Sequence, residues 1–266
     1  MLTHLLAAVV STYIPVAGTI ANSTIAYSTS FRITNLTAHR QLLRADWLAS
    51  NGRGSQTGAL QIDLAPNETR MIASVFPFAG FPPSLGAVKL VAVTETGAAD
   101  ESASIEASAL ISGTRLTDSA RLTQVVPGVP GADMRGSEAE GLIFWPALVP
   151  AFLPEGAPRP RSNYGIVNDA AEPNTFVIET RYPVHGIVLA NPREETVVVP
   201  PHAMIQRQLL ANGSPVDDEG AIVTIRRVSA SAGVWTAYVS NVDSSTGDAV
   251  MVPALPRGGK LTIEAQ

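Results

Sequence analysis

Phe31-Arg-Ile-Thr-Asn35 and Tyr164-Gly-Ile-Val-Asn168 decide the reading of this chain, because they carry one pattern at two places 133 positions apart (31 to 164). An aromatic residue, an isoleucine and an asparagine at alternate positions form the period-2 signature of a strand with one buried face and a polar stop. Other landmarks recur around the pair in the same order. Tyr13-Ile-Pro-Val16 answers to Phe144-Trp-Pro-Ala147 at an offset of 131 (15 to 146), and Leu64-Ala-Pro-Asn67 to Val199-Pro-Pro-His202 at 135 (66 to 201). Leu85-Gly-Ala-Val88 answers to Glu219-Gly-Ala-Ile222 at 134 (86 to 220), and Val126-Pro-Gly-Val-Pro130 to Val252-Pro-Ala-Leu-Pro256 at 126 (127 to 253). Offsets that drift by only a few residues read as one unit copied twice, with insertions and deletions confined to loops.

The rest of the chain reads as strands. Ser28–Leu36, Leu42–Leu48, Ala59–Leu64, Ala87–Thr94, Ser104–Ile111, Phe176–Tyr182, Gly186–Leu189, Glu195–Val199, Ala221–Val228 and Val234–Val242 all favour extended structure, and most are bounded by Gly, Pro or Asn. Helical periodicity is confined to two short stretches, Met204–Leu210 and the first ten residues. The fold class expected is all-β. Each copy is about 115–120 residues long, which fits an immunoglobulin-like antiparallel β-sandwich, so the chain reads as two of them in tandem. The divisions expected are an apolar N-terminal segment over 1–11, a first sandwich over 12–130, a linker over 131–142 and a second sandwich over 143–266. Residues 127–162 hold seven of the 20 prolines, which makes the join semi-rigid.

Composition removes several function classes. The chain has 266 residues, a formal charge of −5, 15% charged residues and no Cys. Its 16 Arg and 2 Lys are scattered singly, so no basic face for nucleic acid is expected. Without Cys there is neither a disulfide framework nor a thiolate metal site or nucleophile. No run approaches the roughly 18 consecutive apolar residues of a membrane span. The opening Met1-Leu-Thr-His-Leu-Leu-Ala-Ala-Val-Val10 is apolar like a signal peptide but lacks a basic start.

The order of an Ile-Pro-Val strand, an aromatic-x-Ile-x-Asn strand, a Pro-centred turn and a Gly-Ala-Val/Ile strand, with Ala237-Tyr-Val-Ser-Asn-Val-Asp-Ser-Ser-Thr-Gly-Asp248 before Val252-Pro-Ala254, resembles the tandem β-sandwich modules of secreted bacterial proteins. The likeness covers most of residues 12–256 and is fuller in the second half. It implies a secreted or cell-surface protein whose motifs are structural, since such modules carry no generally assigned activity.

The residues that could carry chemistry are few. His4, His39, His185 and His202 show neither the i, i+2 nor the i, i+4 spacing of a metal pair, and no G-x-S-x-G elbow occurs. No catalytic residue, cofactor or obligatory metal is expected. Asn241, Asp243 and Asp248 alternate oxygen ligands as calcium loops do, yet Thr246 and Val252 occupy the places where such a loop needs Gly and Glu. A tight turn explains the same residues. Asp217-Asp-Glu219 is the densest acidic run. Trp47, Trp145, Trp235 and Tyr238 could form a sugar-stacking face, but Trp47 and Trp235 alternate with small or apolar neighbours and read as core. Sequons stand at Asn22, Asn35, Asn67 and Asn212.

The expected function is therefore non-catalytic: an extracellular or cell-surface structural or adhesive protein. Residues 5–10 could add as a strand to a second copy, giving self-association into a fibre. The alternative is a module that binds a glycan or a surface protein beside a secreted enzyme.

Overall fold

A computed structural model describes residues 10–21, 25–50, 55–74, 84–116, 119, 121–136, 141–147, 161–181, 183–184, 187–188, 192–209, 220–243 and 249–256. They form antiparallel strands and one 3-10 turn at Gly131–Asp133, with no α-helix among the described residues. By contact the chain divides into two compact units, Met1–Met134 and Arg135–Gln266.

The first unit contains β1 (Ser11–Gly18), β2 (Ile20–Ala21), β3 (Ile25–Asn35), β4 (Gln41–Ala49), β5 (Ser55–Leu64), β6 (Thr69–Ile72), β7 (Leu85–Val93), β8 (Ile105–Arg115), β9 (Arg121–Pro127) and β10 (Val129–Pro130). One sheet runs β10-β1-β7-β4-β5; the other runs β3-β8-β9, with β2 and β6 both paired to β3. The second unit contains β11 (Leu142–Ala147), β12 (Arg161–Asp169), β13 (Asn174–Arg181), β14 (Pro183–Val184), β15 (Ile187–Val188), β16 (Arg193–Val199), β17 (Ala203–Gln208), β18 (Ala221–Arg227), β19 (Val234–Val242) and β20 (Ala249–Val252). Its sheets run β11-β18-β13-β16 and β17-β12-β19-β20, beside the small β14-β15 ladder. Taken in chain order, the eight main strands of each unit occupy the same places in their two sheets.

Period-2 alternation explains the inner faces. In the second unit Phe144, Tyr164, Ile166, Phe176, Ile178, Val197, Val223, Ile225, Trp235 and Val239 come from both sheets and join in one buried cluster. The Trp235 and Phe176 rings meet edge to face, 5.1 Å between centroids. In the first unit alternation survives in β8 but fades in β4 and β7, the inner strands of their sheet, which are buried along most of their length.

The Val-Pro landmarks mark a change of sheet. β9 follows β8 as far as the Ser108–Pro127 pair, and then Val129 and Pro130 pair with Tyr13 and Thr12 of β1 in the other sheet. The second unit does the same. β20 pairs with β19 through Val252, after which Ala254 bridges Phe144 and the Leu255 N–H donates to the Ile143 carbonyl at 2.8 Å. A proline lacks the ladder donor, so it is tolerated where the strand leaves one ladder for the other.

Three sequence readings need correction. The helix expected over Met204–Leu210 does not form, because Ala203–Gln208 is a strand paired residue by residue with Asn168–Asn163 of β12; Leu210 itself lies outside the described residues. Both opening strands carry a register shift, Ile14/Ala17 against β7 and Phe144/Ala147 against β18, so the pairs Ile14–Val88 and Phe144–Val223 correspond and Pro15 matches Trp145 rather than Pro146. Gly86 and Gly220 are likewise one residue out of step. Gly86 lies inside β7 opposite Ala49, where a Cβ would strike the Trp47 ring, whereas Gly220 stands before β18 with φ 77°.

The Val10 carbonyl accepts from the Ala92 N–H at 2.8 Å, so the end of the apolar N-terminal segment extends β1 along β7 of its own chain. Residues 1–9 and Lys260–Ala265 lie outside the described residues.

Tyr238 lies across Gly165 of the neighbouring strand, and a Cβ on Gly165 would fall within its ring. Gly165→Ala should therefore cost about 1–3 kcal/mol in urea unfolding. Gly136→Ala, whose Cβ would meet nothing within 4 Å, should stay within about 0.5 kcal/mol.

Candidate functional site

The polar groups of the two units gather where strands end. Asn35 is the last residue of β3 and Asn168 the last but one of β12, and both are fully buried. Asn35 Nδ2 donates to the carbonyls of His39 at 2.7 Å and Ala65 at 2.9 Å, while its Oδ1 accepts from the Thr37 N–H at 2.9 Å and the Thr37 hydroxyl at 2.7 Å. Asn168 Nδ2 donates to the carbonyls of Glu172, Val199 and Pro200 at 3.0, 3.1 and 2.9 Å, and its Oδ1 accepts from the Ala170 N–H and Asn174 Nδ2 at 3.2 and 2.7 Å. A carboxamide carries both donors and acceptors, so one side chain can close the loop after its own strand and hold the turn that passes it.

Around Asn35 stands the one described histidine that touches a hydroxyl. His39 Nε2 lies 3.1 Å from Ser102 Oγ and 2.6 Å from Gln41 Nε2. Ser102 Oγ also donates to Asp100 Oδ1, at 2.6 Å. The shorter contact takes the single serine proton, so the carboxylate holds the serine rather than orienting the histidine. A nucleophilic triad needs the opposite order, serine to histidine to carboxylate. The Ser102 hydroxyl keeps the Asp100 carboxyl below its ordinary value of 3.8 against the opposing effect of burial, so the carboxylate is a weak base for that proton.

In the second unit His202 Nδ1 lies 2.9 Å from Asp169 Oδ1, with the histidine side chain 40% exposed and the aspartate 8%. His202 has φ 45° and its N–H donates to the Ala170 carbonyl at 3.2 Å; Asn67, also at positive φ (56°), makes the same bond to Thr37 at 3.0 Å. Both residues form turns by this means. A groove of about 440 Å³ in the first unit is lined by Gln61, Ile62 and Arg70 to Ser74, and contains no histidine.

Asn241 Oδ1 accepts from the Ser162 hydroxyl at 2.6 Å and its Nδ2 donates to the Pro146 carbonyl at 3.0 Å, so its amide ties β19 to β12 and β11. Asp243 follows β19, while Asp248 and the Asp217-Asp-Glu219 run lie outside the described residues, as do His4 and His185. Among the described residues no three His, Asp or Glu side chains come together as a metal group. Of the four aromatics, Trp47, Trp235 and Tyr238 are buried and Trp145 is 41% exposed. Of the sequons, Asn35 is sequestered and Asn67 is exposed on its turn; Asn22 and Asn212 lie outside the described residues.

Sequence reasoning passed over Arg135 and Arg227, both almost wholly buried. Their one signal is that Arg227 continues the inward positions Ala221, Val223 and Ile225. Comparison with protein-family models and with curated proteins finds no match.

Asn168→Ala should cost about 2–3 kcal/mol by urea denaturation, since it strips the donor from the buried Val199 carbonyl and the acceptor from the buried Asn174 amide. Stability should also fall in acid. Asp63 is held below its ordinary value by the Arg40 guanidinium, and Glu68 by the Ala65 N–H and then Arg70. Depressed folded values mean that this stability is complete above the ordinary 3.8 and 4.5 and is lost as pH falls through the folded values. The urea midpoint should drop between about pH 5 and about pH 2, less steeply in Asp100→Asn, which has no such charge to lose at its corner.

Proposed function

We propose that the chain is a non-catalytic extracellular or cell-surface structural protein made of two immunoglobulin-like β-sandwiches, the products of an internal duplication. The duplication is supported by position as well as by strand order. Asn35 and Asn168 occupy one place, Gln41 and Asn174 pair at one place with Leu64 and Val199, and the Ala109–Val126 pair corresponds to Val239–Val252.

The observation that carries the functional reading is the use made of the polar side chains. The groups that could do chemistry at the strand ends, Asn35, Asp100, Ser102 and Asn168, bond to main chain or to near neighbours and hold loops in place. A catalytic site needs such groups free and converging on a space for substrate. Exposed Trp145 beside Pro146 supports the second reading, a glycan- or protein-binding module, with a single stacking residue in place of a platform.

The experiment is fractionation of cells making the full chain, together with assays on ester, peptide and glycoside substrates. The protein is expected in the medium or on the cell surface, without turnover. Retention in the cytosol, or turnover abolished by His39→Ala or His202→Ala, would overturn the proposal.

A further inference from the structure

Two sequons meet at one corner of the first unit, and the fold treats them in opposite ways. Asn35-Leu-Thr37 begins at the end of β3 and Asn67-Glu-Thr69 leads into β6; the Asn67 N–H donates to the Thr37 carbonyl at 3.0 Å, which joins the two through main chain. The first is turned inward. Asn35 has no exposed surface, and its Nδ2 donates both hydrogens, to the carbonyls of His39 and Ala65. Thr37, the hydroxyl residue of that sequon, donates to Asn35 Oδ1. A glycosylated asparagine amide keeps a single N–H and carries a bulky polar group, so a sugar at Asn35 would break one of these bonds and would have no room at the corner.

The second sequon is turned outward. The Glu68 N–H donates to the Ala65 carbonyl at 3.1 Å and closes a β-turn with Pro66 and Asn67 at its centre. Pro66 fixes the first central φ, and Asn67 takes the positive φ, 56°, that the second central place of a type II turn requires. Ala65, Pro66 and Asn67 are exposed, and so is Thr69. The charge of Glu68 is held within the turn, where its carboxylate accepts from the Ala65 N–H at 2.7 Å and from the Arg70 guanidinium at 2.6 and 2.9 Å. Asn67 therefore stands at the crest of a turn that the fold fixes, with the hydroxyl residue two places on also reaching solvent.

We propose that Asn67 is the acceptor of an N-linked glycan. The sequon supplies the residue types that such transfer recognises, and the turn supplies access. The donor class is an oligosaccharide carried on a lipid pyrophosphate. Asn67 Nδ2 attacks the anomeric carbon of the first sugar; the C–N bond forms as the bond from that carbon to the pyrophosphate oxygen breaks, the amide gives up one proton, and the lipid pyrophosphate leaves. The proposal rests on the extracellular reading, since sequons of this kind are glycosylated in secreted chains.

The test is peptide mass spectrometry of the full chain recovered from the medium or the surface of the cells that make it. Trypsin puts the two sequons in separate peptides, Ile33–Arg40 and Gly54–Arg70. Gly54–Arg70 is expected to carry sugar, which a peptide N-glycanase removes to leave aspartate in place of Asn67, while Ile33–Arg40 is expected bare. Thr69→Ala keeps Asn67 on its turn and removes the hydroxyl, and it should abolish the modification. A bare Gly54–Arg70 peptide in the secreted chain, sugar on Asn35, or sugar that persists in Thr69→Ala would overturn the proposal and leave the extracellular reading intact. Retention of the chain in the cytosol would instead overturn the extracellular reading. The full chain purified from the cytosol is then offered to an oligosaccharyltransferase with its lipid-linked donor: transfer confined to Asn67 supports the acceptor assignment, and no transfer overturns it.

Discussion

Each unit depends on one buried carboxamide. Where β3 and β12 end, the chain must leave one sheet and enter the other, and the ladders there release main-chain groups that need new partners. Asn35 and Asn168 take that role. Each reaches the carbonyl four residues on, accepts the N–H two residues on, and donates to a carbonyl at the turn after β5 or β16, at Ala65 or Pro200. One side chain thus fixes two crossings between the sheets, and with them the stacking that lets Phe31 and Tyr164 enter their cores.

Much of the fold was legible because period-2 alternation does not depend on distant partners. The strand from Phe31 to Asn35 could be read from its own residues, and so could Trp235 as a core position. The all-β class follows from many such runs. What failed was anything set by pairing. Ala203 to Gln208 contains methionine, glutamine and arginine, all good helix formers, and only the ladder with β12 makes it a strand. The Gly-Ala strings misled for a different reason. Gly86 leaves room for the Trp47 ring within a ladder, whereas Gly220 adopts a left-handed turn, so a shared dipeptide serves two purposes one residue apart.

The candidate site was less legible than the fold. Spacing rules gave no reason to join the histidines, and they could not place His39 against Ser102, 63 residues away, or show that Asp100 sits on the wrong side of the serine. They were also blind to Arg227. An arginine at the end of an alternating strand looks like a solvated terminus, and its burial depends on the Gly136 carbonyl, 91 positions earlier in the chain. Burial of charge is a tertiary property, which local pattern does not report.

The two units also show where such a frame is free to change. At the place held by Gln41 in the first unit and Asn174 in the second, each has a fully buried amide. Asn174 Oδ1 accepts from the Ser229 and Ser231 hydroxyls, which the loop after β18 brings inward. Gln41 instead places its Nε2 against His39, and its Oε1 has no partner. The strand ends hold the same kind of side chain while the loop after β7 or β18 determines what meets it. Differences in polarity therefore collect in those loops, and the sheets beneath keep their register because the asparagine corners already satisfy the crossings.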